Sequence, residues 1–232
     1  MNYYHEFKND EFVHKFIFPN QIEGQFVEIG ACGGIVNSQC YFFEKELKWK
    51  GVAVDAGIQF YSELKSSRIN SCFNAIGGKN EKTTFYNASD NWGMRGVESV
   101  LNKVWTDGSM TSDSQATRYE VEMITLIELL NRNNFLNTIH YCGIDAEGCE
   151  YDILEHYFEN NSKYIILFFA LEAGSPGDPR GDSINSLMLK NDYVEVKNPF
   201  LNDDIRSQDG KIIDFERYYV HKIHMANIQN NF

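Results

Sequence analysis

The sequence predicts an α/β protein built on a Rossmann-like, doubly wound, mostly parallel sheet, and three observations lead there. Short apolar runs of strand length alternate with segments of helical periodicity along most of the chain. The first of these runs, Gln25–Ile29, opens into a turn carrying Gly30, Gly33 and Gly34. The second, Gly51–Val54, closes on an acid, Asp55. Sheets of this kind are covered by helices on both faces and bind ligands beyond the carboxyl ends of their strands.

Taken in order, residues 1–23 form an N-terminal helical or extended segment. Gln25–Ile29 is a strand, Ser38–Leu47 has helical spacing, Gly51–Val54 is a strand, Tyr61–Ser67 a helix and Cys72–Ala75 a short strand, giving βαβαβ. Lys82–Tyr86 is a further strand. The stretch 87–119 contains Gly93, Gly96 and Gly108 among many Ser, Thr, Asp and Asn; it is too polar for the core and too long for an ordinary connection, so a lid over a ligand is expected, with a surface loop as the alternative. Glu120–Ile124 is a strand, and Leu126–Asn133 a helix begun by Thr125 as N-cap with Glu128 three residues on, a capping box. Ile139–Asp145 is a buried strand, Tyr151–Tyr157 a helix, and Tyr164–Ala173 the most apolar strand of the chain. A helix over Ile184–Lys190 and strands at Tyr193–Val196 and Tyr218–Ile223 complete the series. No repeat or low-complexity linker divides the chain, so residues 1–232 read as a single domain.

Composition narrows the function. At 232 residues, with 43% hydrophobic and 14% aromatic content, the chain can bury a full core. Its net charge of −12, without a Lys/Arg cluster, repels phosphate backbones and argues against a nucleic-acid partner. No apolar run reaches the ~20 residues of a membrane span, and the first residues lack the order of a signal peptide, so a cytoplasmic protein is expected. The five cysteines (Cys32, Cys40, Cys72, Cys142, Cys149) are odd in number and show no CxxC spacing, which points to reduced packing thiols.

The glycine turn and the acid together describe a nucleoside pocket: backbone approaches a ligand where a Cβ is missing, and a strand-end carboxylate accepts hydrogen bonds from a ribose diol. The alternative is an ordinary strand–turn–helix whose glycines serve packing. Dinucleotide binding wants G-x-G-x-x-G opening a helix, whereas Gly30, Gly33 and Gly34 give G-x-x-G-G before a late helix. That spacing disfavours a nucleotide-dependent oxidoreductase. S-adenosylmethionine carries no phosphate, and its positive sulfonium suits a pocket rich in carboxylates.

At this point the residues resemble a known family. "FVEIGACGGIVNSQCYFFEKELKWKGVAVDA" is similar to the first motif of FkbM-type S-adenosylmethionine-dependent methyltransferases, in which a Glu-Ile-Gly-Ala loop leads through Asn-Ser to Glu-x-x-x-x-Trp-x-Gly and an acid-ending second strand. "NAIGG" at Asn74–Gly78, "GVESV" at Gly96–Val100 and "YCGIDAEGCEYDIL" at Tyr141–Leu154 resemble later pieces of the same family, in order. Asp55-Ala56 stands where many members have Glu-Pro, and Glu172 is followed by Ala173-Gly174 rather than by His or Asn. The resemblance implies a seven-stranded methyltransferase sheet with S-adenosylmethionine lying across Glu28, Ile29, Gly30, Ala31 and Gly34. Its ribose would rest on Asp55 beside Ala56, its adenine near Ala75 and Ile76, its amino-acid end among Asn37, Ser38, Glu98 and Ser99, and its sulfonium beside Asp145. The implied acceptor is a hydroxyl of a sugar or glycan, with a non-carbohydrate natural-product hydroxyl as the alternative; a homodimer is compatible with the family, and a non-catalytic ligand-binding relative is the competing class.

Methyl transfer is an in-line displacement, and a hydroxyl must lose its proton to act as nucleophile. Asp145 and Glu172 end adjacent apolar strands, where their carboxylates emerge at one sheet edge and need partners. They are the candidate catalytic residues, with Glu147 open between lining the pocket and starting a helix, and Glu150 read as a cap in the first helical turn. Two mechanisms stay open: direct proton removal, or a divalent cation (Mg²⁺ or Mn²⁺) held by Asp145 and Glu172. The six histidines offer no metal spacing, and His221 and His224 read as surface or core residues.

Overall fold

The computed structural model describes residues 1–88, 95–104, 115–173, 179–201 and 216–228. The N-terminal segment carries α1 (Asn9–Phe12) and a π-helical turn over Val13–Ile17. Then come β1 (Gln25–Ile29), α2 (Tyr41–Leu47), β2 (Lys50–Asp55), α3 (Tyr61–Ser67), β3 (Ser71–Phe73), β4 (Ala75–Ile76), β5 (Glu81–Asn87), β6 (Arg95–Val97), α4 (Glu98–Val104), β7 (Thr117–Ile124) and α5 (Leu126–Arg132). The chain continues through β8 (Thr138–Ile144), α6 (Glu150–Asn160), β9 (Ile165–Glu172), α7 (Pro179–Lys190), β10 (Tyr193–Val196), β11 (Glu216–His221) and α8 (Lys222–Ile228).

Seven strands make one sheet in the order β10-β11-β9-β8-β1-β2-β3. The pairings from β9 to β3 are parallel, and β11 runs antiparallel to both its neighbours. The expected mostly parallel sheet therefore holds for the centre and not for the β11 edge. A second sheet, β4-β7-β5-β6, is mixed, with β4–β7 parallel and β5 antiparallel to both β7 and β6. It arises because the expected strand Cys72–Ala75 breaks at Asn74: β3 ends on β2, while Ala75 and Ile76 pair with Met123 and Ile124.

Period-two alternation sorts the central strands between two cores. Val27, Cys142, Phe169 and Tyr219 face one core, completed by Leu126, Leu129 and Leu130 of α5, Ile153 and Leu154 of α6, and Ile184 and Met188 of α7. Phe26, Tyr141, Phe168 and Tyr218 face the other, covered by Phe12, Val13 and Ile17 of the N-terminal segment, Phe42 and Phe43 of α2, and Ile228 of α8. Each fully buried large side chain contributes about 1.5–3 kcal/mol, so residues 9–17 are held as an integral layer rather than a tail. Trp49 stacks on Phe43 at 4.7 Å and donates its indole N–H to the Gln21 carbonyl at 2.9 Å.

Local signals act where expected, with shifts at the ends. Thr125 Oγ1 accepts the Glu128 backbone N–H at 3.2 Å, but the Glu128 carboxylate turns to Arg132, and Asn80 takes the Thr125 N–H at 2.9 Å, so half of the capping box forms. α2 begins at Tyr41 rather than Ser38, because Ser38 Oγ accepts the N–H groups of Cys40 and Tyr41 ahead of the helix. The last expected strand stops at His221 and passes directly into α8. Within the expected lid, residues 95–104 form β6 and α4 and 117–119 belong to β7; residues 89–94 and 105–114 lie outside the described residues.

Candidate functional site

The carboxyl ends of β1, β2 and β8 converge with the second sheet on a cleft enclosing about 590 Å³ of space, its mouth included. β1 contributes Ile29, the following turn Gly30 and Cys32, and β2 Val54, Asp55 and Ala56; Asn74–Ile76 and Phe85 form one wall. Arg95, Gly96 and Val97 of β6 face Asp145, Ala146, Glu147 and Cys149 beyond β8.

Asp55 is the fixed point of the cleft. Its Oδ2 accepts the Cys32 N–H at 2.8 Å and its Oδ1 the Gly57 N–H at 2.6 Å, so the carboxylate ties the glycine turn to the end of β2. Burial raises its pKa, opposed by those two backbone donors. A carboxylate oxygen that accepts one such bond has a second lone pair, which is what a diol partner would require. The second sheet is anchored to the same strand end by Tyr119, whose hydroxyl donates to the Ala56 carbonyl and accepts the Ile58 N–H.

Opposite Asp55, the acids at the ends of β8 and β9 gather. Asp145 ionises well above the usual carboxylate range because it is desolvated and faces the charges of Glu172 and Glu147; of the expected catalytic residues, Asp145 and Glu147 line the cleft and Glu172 does not. Glu147, in a left-handed conformation (φ 53°), lines the cleft with its pKa pushed up to about 8, by burial first and then by Glu172 and Glu150. Glu150, expected as a cap in the first helical turn, is fully buried and instead takes the N–H groups of Ala146 and Gly148 in the turn before α6, which has no side-chain cap hydrogen bond. Among the described residues no set of three or more His, Cys, Asp or Glu side chains is arranged to hold a metal ion.

Of the expected cofactor residues, the cleft brings together Ile29, Gly30, Asp55, Ala56, Ala75, Ile76 and Asp145, with the expected Glu147. The others face elsewhere. Glu28 is buried in an ion pair with Arg68 and accepts from Ser38 Oγ and the Gln39 N–H, so neither Glu28 nor Ser38 lines the cleft. Ala31 packs with Ala53 and Leu64. A Cβ on Gly34 would meet Ser67 Oγ at 2.6 Å and one on Gly33 the Glu63 carboxylate at 2.5 Å, so these glycines serve packing against α3. Even at Gly30 (φ 83°) the collision would be with the Asp145 carbonyl at 2.1 Å. Asn37 is tied to Glu6 by two hydrogen bonds, Glu98 pairs with Arg118, and Ser99 faces a neighbouring groove. His224 stacks on Phe18 at 4.5 Å and His221 lies edge-on to Tyr193, both away from the cleft. The residues that the sequence did not single out are Cys32, Phe60, Phe85, Arg95 and Val97. Arg95 and Val97 flank Gly96 in the short Gly-x-x-Ser segment, a signal that could have found them; Phe60 carries none.

The family model of the methyltransferase FkbM domain matches residues 28–195. No curated protein matches the chain. Among solved structures, the crystal structure of methyltransferase FkbM from Methylobacillus flagellatus is similar at 12% identity and TM-score 0.43, over 86% of this chain and 44% of that one. The METTL16 MTase domain (7% identity, TM-score 0.42) is covered for 64% of its length and matches 90% of this chain. The human methyltransferase 10 domain containing protein (7% identity, TM-score 0.42) is covered for 78%, over 92% of this chain. The chain thus spans less than two thirds of the first two structures.

Proposed function

The chain belongs to the methyltransferase FkbM domain family, and on that premise we propose that it transfers a methyl group from S-adenosylmethionine to a hydroxyl, with a sugar or glycan as acceptor. The observation that carries this reading is Asp145 and Glu147 standing across one cleft from Asp55, with Glu172 beside Asp145. The residues present fit the cofactor. Asp55 has lone pairs left for the ribose hydroxyls, and Ala75, Ile76, Phe85 and Val97 offer an apolar slot for a planar base. Asp145 and Glu147 set carboxyl oxygens where a sulfonium would be held.

S-adenosylmethionine, when bound, supplies an electrophilic methyl carbon. The chain's own residues account for the acceptor side. When the Asp145–Glu172 pair is ionised, an adjacent hydroxyl can pass its proton to it through Asp145, the member that lines the cleft. Glu147, with its pKa near 8, is a second proton acceptor close to neutral pH. Carboxylates spaced along the cleft also accept hydrogen bonds from a polyol, which supports a sugar over an apolar acceptor. β6, packed through Gly96 against Glu147, closes one side to water. The test is a panel of sugars, glycans and natural-product alcohols incubated with the enzyme and S-adenosylmethionine, read by mass spectrometry for the gain of one methylene on oxygen. Transfer to nitrogen or carbon, or to alcohols lacking a polyol, would overturn the acceptor assignment.

A further inference from the structure

We infer that Arg68 is the positioning residue of the cofactor turn: from outside the cleft its guanidinium holds the segment Gly30–Cys40 in the shape that the cofactor meets. The inference rests on the reading of the cleft given above, and it concerns a residue that no motif in the sequence marks.

Arg68 caps the C-terminus of α3, and its side chain is wholly buried between α2, α3 and β1. Nη1 donates to Glu28 Oε2 at 2.6 Å, to the Gly34 carbonyl at 3.2 Å and to Ser38 Oγ at 3.3 Å, while Nε donates to Glu44 Oε2 at 2.8 Å. The guanidinium lies over the Phe26 and Tyr41 rings at 5.2 and 5.8 Å. It thereby touches the end of β1, the middle of the turn, its exit and the following helix. Glu28 relays the hold, because its Oε1 accepts the Gln39 N–H at 2.7 Å.

The turn needs such a hold. Gly30, Cys32, Gly34 and Asn37 all have positive φ, and for Cys32 (46°) that conformation is strained. Strained backbone persists only where the surroundings over-determine it. On the cleft side the determinant is Asp55, through the Cys32 N–H; on the far side it is Arg68. Only a planar fork reaches these partners together, so lysine is not an equivalent replacement. Released from Arg68, the turn would sample other shapes, and the fraction competent to bind would fall.

The experiment compares S-adenosylhomocysteine affinity by calorimetry with thermal stability for three variants of the full chain. Arg68→Lys is expected to bind at least tenfold more weakly. Arg68→Met leaves two buried carboxylates without their cation and is expected to lose much of its stability. The triple variant Arg68→Met, Glu28→Gln, Glu44→Gln removes the charges together, so stability should recover while affinity stays at least tenfold below wild type; a folded triple variant with wild-type affinity overturns the inference. Amide exchange of the ligand-free wild type gives a readout that needs no variant to fold. Residues 31–39 should already be protected, and exchange at the rate of unstructured chain until ligand is added would equally overturn it. A wild type that does not bind S-adenosylhomocysteine would count against the reading of the cleft, and the exchange result would then decide on Arg68 alone.

Discussion

Glu147→Gln is expected to stabilise the protein at alkaline pH while harming its chemistry. Glu147 is half-buried at the cleft, and burial together with Glu172 and Glu150 raises its pKa from 4.5 to about 8. Below pH 4.5 the folded and unfolded states both hold the proton, and the wild type and the variant should differ little. As pH rises, the unfolded chain ionises first; the folded state binds more protons, and wild-type stability falls until the folded group titrates near pH 8. A raise of that size sets a ceiling of about 5 kcal/mol. Because Glu147 keeps contact with solvent, ~1–2 kcal/mol is the expected difference above pH 8, about 2–8 °C in melting temperature for a chain of this length. Melting curves of both proteins from pH 5 to 9 provide the assay, since the titration of every other group largely cancels in the difference. A difference that is constant with pH, or that shrinks as pH rises, would refute the reasoning. The same acid should favour the sulfonium over the neutral thioether, so the preference for S-adenosylmethionine over S-adenosylhomocysteine should grow between pH 6 and 8.5 and grow less in the variant.

Three further outcomes are expected. Asp145→Asn and Glu172→Gln should each lower turnover by ~10²-fold or more with little change in cofactor affinity; EDTA sensitivity restored by magnesium would assign the pair to a cation, and indifference to direct proton transfer. Gly30→Ala should shift the denaturant midpoint downward by the equivalent of ~2–4 kcal/mol, because a Cβ would lie 2.1 Å from the Asp145 carbonyl at a φ of 83°; an unchanged midpoint would contradict the close approach. Amides of residues 95–104 should gain exchange protection when S-adenosylhomocysteine binds, and no change there would make β6 and α4 an ordinary surface insert.

The central sheet was legible because its strands are apolar on both faces and bounded by clear turns, and α3 and β10 fall on their expected residues. Of the second sheet β5 and β7 were legible, but β4 and β6 were not, because they are two and three residues long and owe their existence to partners far along the chain. Residues 87–119 looked like a loop for the same reason: composition reports how polar a stretch is, and pairing with β5 is a tertiary fact. At the site, strand-end acids were readable by position, so Asp55, Asp145 and Glu147 meet in one cleft. Glu28 shows where that logic stops. A strand residue one place earlier points to the opposite face, where Arg68, forty residues on, takes its charge. The glycines of the turn were read as room for a ligand, and the structure assigns that room to Asp145, Ser67 and Glu63 instead.

Calorimetric titration of the wild type and Asp55→Ala with S-adenosylhomocysteine tests the central claim most directly, that this cleft is a cofactor site organised by Asp55. Losing hydrogen bonds to a charged acceptor costs about 1.5–3 kcal/mol, and the Cys32 and Gly57 N–H groups lose their shared anchor in the same step. The account expects saturable one-to-one binding by the wild type, weakened roughly 10- to 150-fold in the variant. Absence of binding by the wild type, or equal affinity in the two proteins, would contradict it.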